Sequence, residues 1–204
     1  MNAELPGKGL GAVLKSLNCD RAYGLALLGV CALLALPELG GEAVRNAGSF
    51  DRAAIGAGQW WRLLSAHFVH LDAEHALLNG FGLVLMWALF ARDYSPWRWL
   101  AIYLFAALTI SAGLWFLNPE LDWYVGASGA LHGVMTAGTW AHLKRRDLDG
   151  WILAVFIVAK LSYEQFAGSM PFAGAANTIV DAHLYGAVGG LVLAIFLKSR
   201  REHP

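Results

Sequence analysis

Long apolar runs, separated by polar stretches, dominate the chain. The runs lie near 22–37, 75–91, 98–117, 127–143, 151–167 and 179–197. A helix needs about 20 predominantly apolar residues to cross the hydrocarbon of a bilayer. The pattern therefore predicts an all-α membrane protein with six transmembrane helices, of which the first, fourth and fifth are short or interrupted.

The polar stretches divide the chain into three parts. Residues 1–21 are predicted to be a short N-terminal segment, 22–197 the membrane domain and 198–204 a tail. The first run begins behind a mixed polar leader, so we interpret it as a membrane helix that stays uncleaved. The longest polar stretch, about 38–74, contains aromatic residues and three histidines. We expect it to be a structured, interfacial loop.

Composition agrees with a membrane protein. Hydrophobic residues make up 57% of the chain and charged residues 15%, whereas a soluble domain has about a quarter charged residues. The mean hydropathy is +0.49. The formal net charge is zero, which argues against a nucleic-acid partner. Cys19 and Cys31 are too few for a disulfide framework.

The positions of lysine and arginine predict the orientation. If the N-terminus is cytoplasmic, the cytoplasmic segments hold eleven basic residues, and the opposite side holds only Arg45, Arg52 and Arg62. By the positive-inside rule, both termini are then cytoplasmic. Lys160 lies within the fifth run, and Glu164 follows one turn later. We expect these two to form an ion pair that faces a cavity, without a catalytic role.

Three of the predicted helices carry polar residues at the same depth. The second, fourth and sixth helices all run inward from the outer face. Asn79 lies one turn below His75 in the second helix. Ser128 lies in the first turn of the fourth helix, and His183 about one turn into the sixth. At 1.5 Å per residue, these groups lie within roughly 6 Å of one plane. Serine, histidine and asparagine together are the side chains that acyl transfer requires.

The predicted positions suit distinct roles. A serine in the first turn of a helix has free backbone N–H groups and the positive end of the helix dipole beside it, and both favour an oxyanion. His75 and Asn79 share one helix face and could donate further hydrogen bonds to that oxyanion. His183 would take the proton of Ser128 and pass it to the leaving amine.

Small residues recur every four positions on the fourth and sixth helices. They are Gly129, Gly133 and Ala137 on the fourth, and Ala182, Gly186, Gly190 and Ala194 on the sixth. Such stripes let two helices approach closely in lipid. Close approach would bring the short serine side chain within about 3 Å of the imidazole.

Simpler interpretations stay open. Ser128 alone is also typical of a packing residue, and the Gly-x-Ser-x-Gly elbow of soluble hydrolases is not matched, because Ala130 occupies its last position. His132, one turn below Ser128, is an alternative base. We favour His183, since a partner on another helix can approach Oγ frontally, and we expect His132 to support or stack on the site. Asp181 is expected to cap or anchor its helix, so no third acid is identified.

A histidine cluster offers a different chemistry. His67, His70 and His75 recur at short intervals, as the zinc or iron ligands of some membrane enzymes do. The cluster lacks an HExxH motif, and its nearby carboxylates are Asp72 and Glu74. We favour structural histidines over metal ligands, and a metal-dependent membrane enzyme stays an alternative.

Four motifs, taken in order, resemble those of the rhomboid family of intramembrane serine proteases. The motifs are "WWRLLSAHFVH", "HALLN", "GASG" and "AHLYG". The matching residues are Trp61, Arg62, His75, Asn79, Gly126, Ser128, His183 and Gly186. The resemblance spans about 60–190, nearly the whole predicted membrane core.

The resemblance implies a rhomboid-like six-helix bundle that needs no cofactor or metal. It implies that Ser128 is the nucleophile and His183 the base of a Ser–His dyad. It also implies that His75 and Asn79 stabilise the oxyanion and that Gly126 belongs to the oxyanion turn. A catalytically inactive rhomboid-like binding protein is the alternative within the same fold.

Two motifs look most like the rhombosortase branch of the family. They are "GASGALHG", in which His132 stands where many bacterial rhomboids have a tyrosine, and "VDAHLYGAVGG". That branch is associated with C-terminal GlyGly-type anchors of proteins exported by Gram-negative bacteria. The resemblance implies a bacterial inner-membrane enzyme whose site faces the periplasm and whose substrates are membrane-anchored proteins. We expect the loop 168–178 to be a mobile cap over the site.

Overall fold

The fold is almost entirely helical. A computed structural model describes residues 10–170 and 178–200 of the chain. Its α-helices are α1 (Leu10–Ser16), α2 (Arg21–Ala35), α3 (Gly41–Gly48), α4 (Arg52–Gly56), α5 (Arg62–Ser65), α6 (Ala73–Phe90), α7 (Pro96–Leu117), α8 (Ser128–Lys144), α9 (Leu148–Ala167) and α10 (Val180–Phe196). A 3₁₀ turn, Leu36–Gly40, follows α2, and two short strands, β1 (Phe50–Asp51) and β2 (Trp123–Tyr124), complete the structure. The predicted loop cap lies mostly outside the described residues.

Each predicted apolar run corresponds to one long helix. Among the described residues, four helical stretches are long and apolar enough to cross a membrane: Arg21–Gly48, Ala73–Phe90, Pro96–Leu117 and Leu148–Ala167. Helix α10 is apolar but shorter. The structure therefore has multiple apolar helices of membrane-spanning character, as predicted. Helix α8 has 17 residues, and most of its side chains are buried. Because protein rather than lipid surrounds it, it can carry histidine, serine and threonine.

Helices α8 and α10 pack backbone against backbone. A Cβ at Gly186 would overlap the carbonyl oxygen of Gly129, and a Cβ at Gly190 would overlap that of Gly133. In return, a Cβ at Gly133 would lie 2.7 Å from the carbonyl oxygen of Gly186. A backbone carbonyl cannot rotate away as a side chain can, so these positions accept only glycine. The predicted small-residue contact is confirmed, and it holds α10 directly beside the start of α8.

The long loop before α6 is structured and docks onto the segment before α8. Strand β1 pairs antiparallel with β2, with Phe50 opposite Tyr124. The buried guanidinium of Arg62 donates to the carbonyl oxygens of Asn46 and Ser49 at 2.7 and 2.8 Å. These bonds satisfy backbone groups that the loop removes from water. The loop thus forms a fixed platform beneath the residues that lead to Ser128.

A second arginine of the same loop closes the end of α7. The Arg52 guanidinium donates to four backbone carbonyls, those of Leu114, Trp115, Asn118 and Leu121. The last carbonyls of a helix have no partner within it and attract positive charge. Arg52 therefore ties the end of α7 to the start of α4, on the same side of the bundle as Ser128.

Candidate active site

Ser128 is the first residue of α8 and follows a sharp backbone turn. Gly126 has a φ of 124°, which strongly favours glycine. Its N–H donates to the carbonyl of Ala66 in the loop at 2.9 Å, and its carbonyl accepts from the Tyr124 hydroxyl at 2.9 Å. The loop and β2 therefore fix the turn. Ser128 then lies at a helix start, where backbone N–H groups are free to bind an anion.

The structure brings His183 to the serine hydroxyl. The His183 Nε2 lies 3.1 Å from Ser128 Oγ, a hydrogen-bonding distance. His183 is 5% exposed, so the protein rather than bulk water surrounds the ring. The backbone packing of α10 on α8 produces this contact, because Gly129 lies against the carbonyl of Ala182, the residue before His183.

A carboxylate lies on the side of His183 opposite Ser128, a contact that the sequence did not predict. The Glu164 Oε2 of α9 lies 3.0 Å from His183 Nδ1, and Glu164 is only 1% exposed. The other carboxylate oxygen accepts a hydrogen bond from Lys160 Nζ at 2.5 Å. The predicted ion pair is present. The conclusion that no acid lies behind the histidine was wrong, because Glu164 contacts both its helical neighbour and His183.

His132 lies on the face of His183 rather than on the serine hydroxyl. The two rings stack with centroids 4.1 Å apart and planes inclined by 18°. The Nδ1 of His132 is 2.8 Å from the carbonyl oxygen of Ser128. A carbonyl oxygen only accepts, so in the tautomer with the proton on Nδ1 the ring donates a hydrogen bond to its own helix. Its Nε2 is buried and has no hydrogen-bond partner among the described residues. This geometry suits support of the His183 ring.

His75 and Asn79 face the turn before Ser128 from α6. The Asp72 carboxylate caps α6 by accepting from the His75 N–H at 2.8 Å. A Cβ at Gly126 would lie 3.0 Å from His75 Nε2 and 3.9 Å from Asn79 Nδ2. The Asn79 amide is buried, and its Nδ2 has no partner among the described residues. A buried donor without a partner is costly, and an oxyanion formed beside Gly126 would satisfy it.

These side chains line one cavity of about 740 Å³. Its polar lining consists of His75, Asn79, Ser128, His132, Lys160, Glu164, Thr178 and His183. A smaller, mainly apolar cavity of about 230 Å³, between α6, α8 and α9, adjoins it; both cavities are lined by Leu78, Asn79, Ser128, His132 and Lys160. The serine therefore lies where a polar cavity meets an apolar one.

The other two histidines of the predicted cluster are structural. His67 is fully buried, with its Nε2 3.0 Å from the Ser111 hydroxyl. Burial lowers the pKa of His67 to about 4. The pKa of His70 is also lowered to about 4, mainly by burial and to a smaller extent by the nearby imidazole of His75. The His70 ring packs edge-on against His75. Within residues 10–170 and 178–200, two groups of three side chains have potential metal-binding atoms within 4.8 Å of one another: His132, Glu164 and His183, and His142, Asp147 and Asp149. Neither group includes His67, His70 or His75.

Asp181 points away from the serine. Its carboxylate accepts from the Asn118 side chain at 2.7 Å, and Asn118 in turn accepts from the Tyr185 hydroxyl at 2.8 Å. This chain of bonds anchors the start of α10 to the end of α7, as predicted for a helix anchor.

A serine, an imidazole within hydrogen-bonding distance and a donor-lined cavity at a helix start are the groups that acyl transfer requires. The Rhomboid domain pattern matches residues 57–200. The chain belongs to the rhomboid family, and the relatives it matches include named proteases.

Curated relatives agree with this assignment. The chain is 30% identical over 149 residues to the putative rhomboid protease YdcA of Bacillus subtilis, covering 72% of each. It is 30% identical over 154 residues to the rhomboid protease GluP of the same organism, covering 74% of this chain and 28% of GluP. It is also 26% identical over 153 residues to the chloroplastic Rhomboid-like protein 11 of Arabidopsis thaliana, covering 53% of that protein.

Proposed function

We propose that the protein is an intramembrane serine endopeptidase in which Ser128 is the nucleophile and His183 the general base. The observation that carries the proposal is the 3.1 Å separation of His183 Nε2 and Ser128 Oγ at the edge of the cavity. Two named rhomboid proteases among its relatives support the same class of reaction.

The proposed reaction follows from the geometry. Ser128 Oγ attacks the substrate carbonyl carbon while its proton passes to His183 Nε2. The C–N bond of the resulting tetrahedral intermediate breaks, and His183 returns the proton to the leaving amine. Water then attacks the acyl-enzyme ester, with His183 again taking and returning a proton. Both products leave, and Ser128 regains its hydroxyl.

The negative oxygen of the tetrahedral intermediate forms beside the turn at Gly126. The free N–H groups at the start of α8 face it, as do the Asn79 amide and the His75 Nε2. Preorganised donors of this kind supply a large part of catalysis in acyl transfer, about 10²–10³-fold for a single donor. The clearest support for this role is the buried Asn79 Nδ2, which has no hydrogen-bond partner within the described part of the chain.

The substrate class follows from the surroundings of the serine. The six helices are proposed to span a bacterial inner membrane with both termini cytoplasmic, which puts the site near the periplasmic face. The substrate would be the C-terminal transmembrane anchor of an exported protein. Small residues such as glycine are expected at the cut, because a helical anchor must unwind before Ser128 can reach its backbone and glycine has a low helix propensity. GlyGly-type anchors, as in rhombosortases, fit this expectation.

A reporter assay tests the proposal. A periplasmic reporter fused to a GlyGly-type anchor is reconstituted with purified enzyme in liposomes, and the released reporter is quantified. We expect the wild type to release it, whereas Ser128→Ala and His183→Ala do not. Release by Ser128→Ala would overturn the proposal. An inactive binding protein would retain the reporter without cutting it, and a metal enzyme would lose activity in a chelator and regain it with zinc or iron.

A further inference from the structure

The most informative side chain that the proposed dyad does not use is Glu164. Its Oε2 lies 3.0 Å from His183 Nδ1, on the opposite side of the ring from the nitrogen that faces Ser128. The three groups therefore form a continuous row from carboxylate to imidazole to hydroxyl. Glu164 is 1% exposed, so the contact is buried within the helix bundle.

We propose that Glu164 is the third member of the site, a positioning residue that acts through His183. This inference rests on the proposed function of Ser128 and His183. The carboxylate accepts the Nδ1–H hydrogen bond, which leaves the Nε2 lone pair free for the serine proton. It also stabilises the imidazolium that forms during attack. Glu164 itself neither gains nor loses a proton in the cycle.

Lys160 makes an ionised carboxylate tolerable at this depth. Burial of a lone carboxylate costs several kcal/mol, and in a membrane bundle such groups pair with one another or face a wet cavity. The Lys160 ammonium binds Oε1 at 2.5 Å and leaves Oε2 to His183. Each carboxylate oxygen therefore has its own donor. An uncharged glutamic acid would lack the attraction that holds both.

Two contacts from α8 hold the row in alignment. His132 of α8 stacks on the His183 ring and limits its tilt, while the backbone of α10 is held by the glycines of α8. Among the described residues, the other histidines and the charged side chains that line the same cavity as His183 are His75 of α6, His132 of α8, and Lys160 and Glu164 of α9. Of these, Glu164 contacts His183 Nδ1 directly, so its carboxylate favours the tautomer that carries the proton on Nδ1.

The first test replaces the carboxylate by an amide of the same shape. Glu164→Gln is expected to lower kcat by about 10²–10⁴-fold, as loss of the acid does in a serine–histidine–aspartate triad. The KM for the anchored reporter should stay near the wild-type value, because Glu164 does not bind the peptide. Each rate is divided by the concentration of active enzyme, which is the amount of protein that a serine-directed fluorophosphonate labels when the labelling reaction has gone to completion. An unchanged kcat would overturn the proposal while leaving the proposed function intact.

A second pair of variants separates positioning from a structural role. Glu164→Gln leaves the Lys160 charge without its partner and is expected to lower thermal stability. The double variant Lys160→Met/Glu164→Gln removes both charges, so stability should recover while kcat stays low. If kcat recovers together with stability, the role is structural and the proposal fails. Glu164→Asp keeps the charge and should regain part of the activity lost in Glu164→Gln.

Two controls complete the design. Asp93→Asn removes a second buried carboxylate that contacts a histidine, His142, far from Ser128. It is expected to lower stability but not kcat per labelled site. A chelator distinguishes positioning from metal binding, since the donor atoms of His132, Glu164 and His183 lie within 4.8 Å of one another. Full activity in the chelator is expected, whereas loss of activity that zinc restores would overturn the proposal.

Discussion

Two buried clusters of histidine and carboxylate lie at opposite ends of α8, and only one of them is proposed to be catalytic. At the start of the helix, Glu164 and Ser128 bind the two nitrogens of His183. Near its end, His142 lies 2.9 Å from Asp93 and 2.8 Å from Asp149. At 1.5 Å per residue, Ser128 and His142 are about 21 Å apart along the helix.

The difference lies in what the second ring nitrogen faces. Both nitrogens of His142 face carboxylates, which accept hydrogen bonds but offer no proton. Asp93 also binds Arg145 at 3.1 Å, so this cluster is an ion-pair network that joins helix ends. His183 has one nitrogen on a carboxylate and the other on a hydroxyl at a cavity. A buried histidine–carboxylate pair therefore indicates catalysis only when a nucleophile and space for a substrate accompany it.

The largest expected effect comes from comparing alanine substitutions of the two histidines, His183 and His142. His183→Ala removes the general base and should lower kcat/KM by at least about 10⁴-fold. His142→Ala should destabilise the protein but leave the rate per labelled site within about twofold, as expected for distant, independent sites. Reporter release and thermal melts measure both. A comparable loss of rate in His142→Ala would break the distinction between the clusters.

The next effect concerns the oxyanion. Asn79→Ala removes the proposed oxyanion donor, so it should lower kcat by about 10²–10³-fold. Thermal stability should hold or rise, because the buried Asn79 Nδ2 has no hydrogen-bond partner among the described residues. Steady-state kinetics and a melt of the same preparation decide the matter. A loss of stability with an unchanged kcat would make Asn79 a packing residue.

The distance between α8 and α10 near Ser128 should affect the rate of cleavage, whereas an added methyl group on an unpacked helix face should not. Gly186→Ala puts a methyl group on the carbonyl of Gly129, which would push α10 away from α8. A displacement of 1 Å at the reacting atoms costs about 10²-fold in rate. Gly80→Ala, in α6, meets nothing within 4 Å and is the matched control. Equal behaviour of the two variants in the reporter assay would contradict the close-packing account.

The smallest expected effect is that of the stacked ring. His132→Phe keeps an aromatic face against His183, and stacking of this kind contributes about 0.5–1.5 kcal/mol. We expect kcat/KM to fall by less than about tenfold, since 1.4 kcal/mol corresponds to tenfold. His132→Ala should lose more but keep measurable turnover. Complete loss of cleavage in His132→Phe, with a normal melt, would reassign the general base to His132.

The sequence predicted much of this site because lipid restricts where polar residues can lie. Ser128, His183 and Asn79 are polar side chains inside apolar runs, and their equal depth on inward-running helices predicts that they lie together. The contact of Glu164 with His183 could not be predicted in the same way, because α9 is not one of the helices predicted to run inward and Lys160, one turn away, already offers Glu164 an ion-pair partner. Glu164 lies three residues before the end of α9, close to the level of Ser128.

The loop platform could not be predicted in detail. The pairing of Phe50 with Tyr124 and the four hydrogen bonds of Arg52 to backbone carbonyls join segments about 60–75 residues apart. Neither has a periodic pattern that would reveal it. The aromatic and histidine content of the loop indicated order, but the partners depend on tertiary packing.

Covalent labelling of the serine tests the central claim most directly. Purified protein is incubated with a fluorophosphonate, and the adduct is located and timed by intact and peptide mass spectrometry. We predict one adduct, on Ser128, which forms at the wild-type rate in Asp93→Asn, much more slowly in Glu164→Gln, and not at all in Ser128→Ala. An adduct on another residue, or no adduct on the wild type, would contradict a nucleophilic Ser128. Equal rates in Glu164→Gln and Asp93→Asn would contradict the role of Glu164 alone.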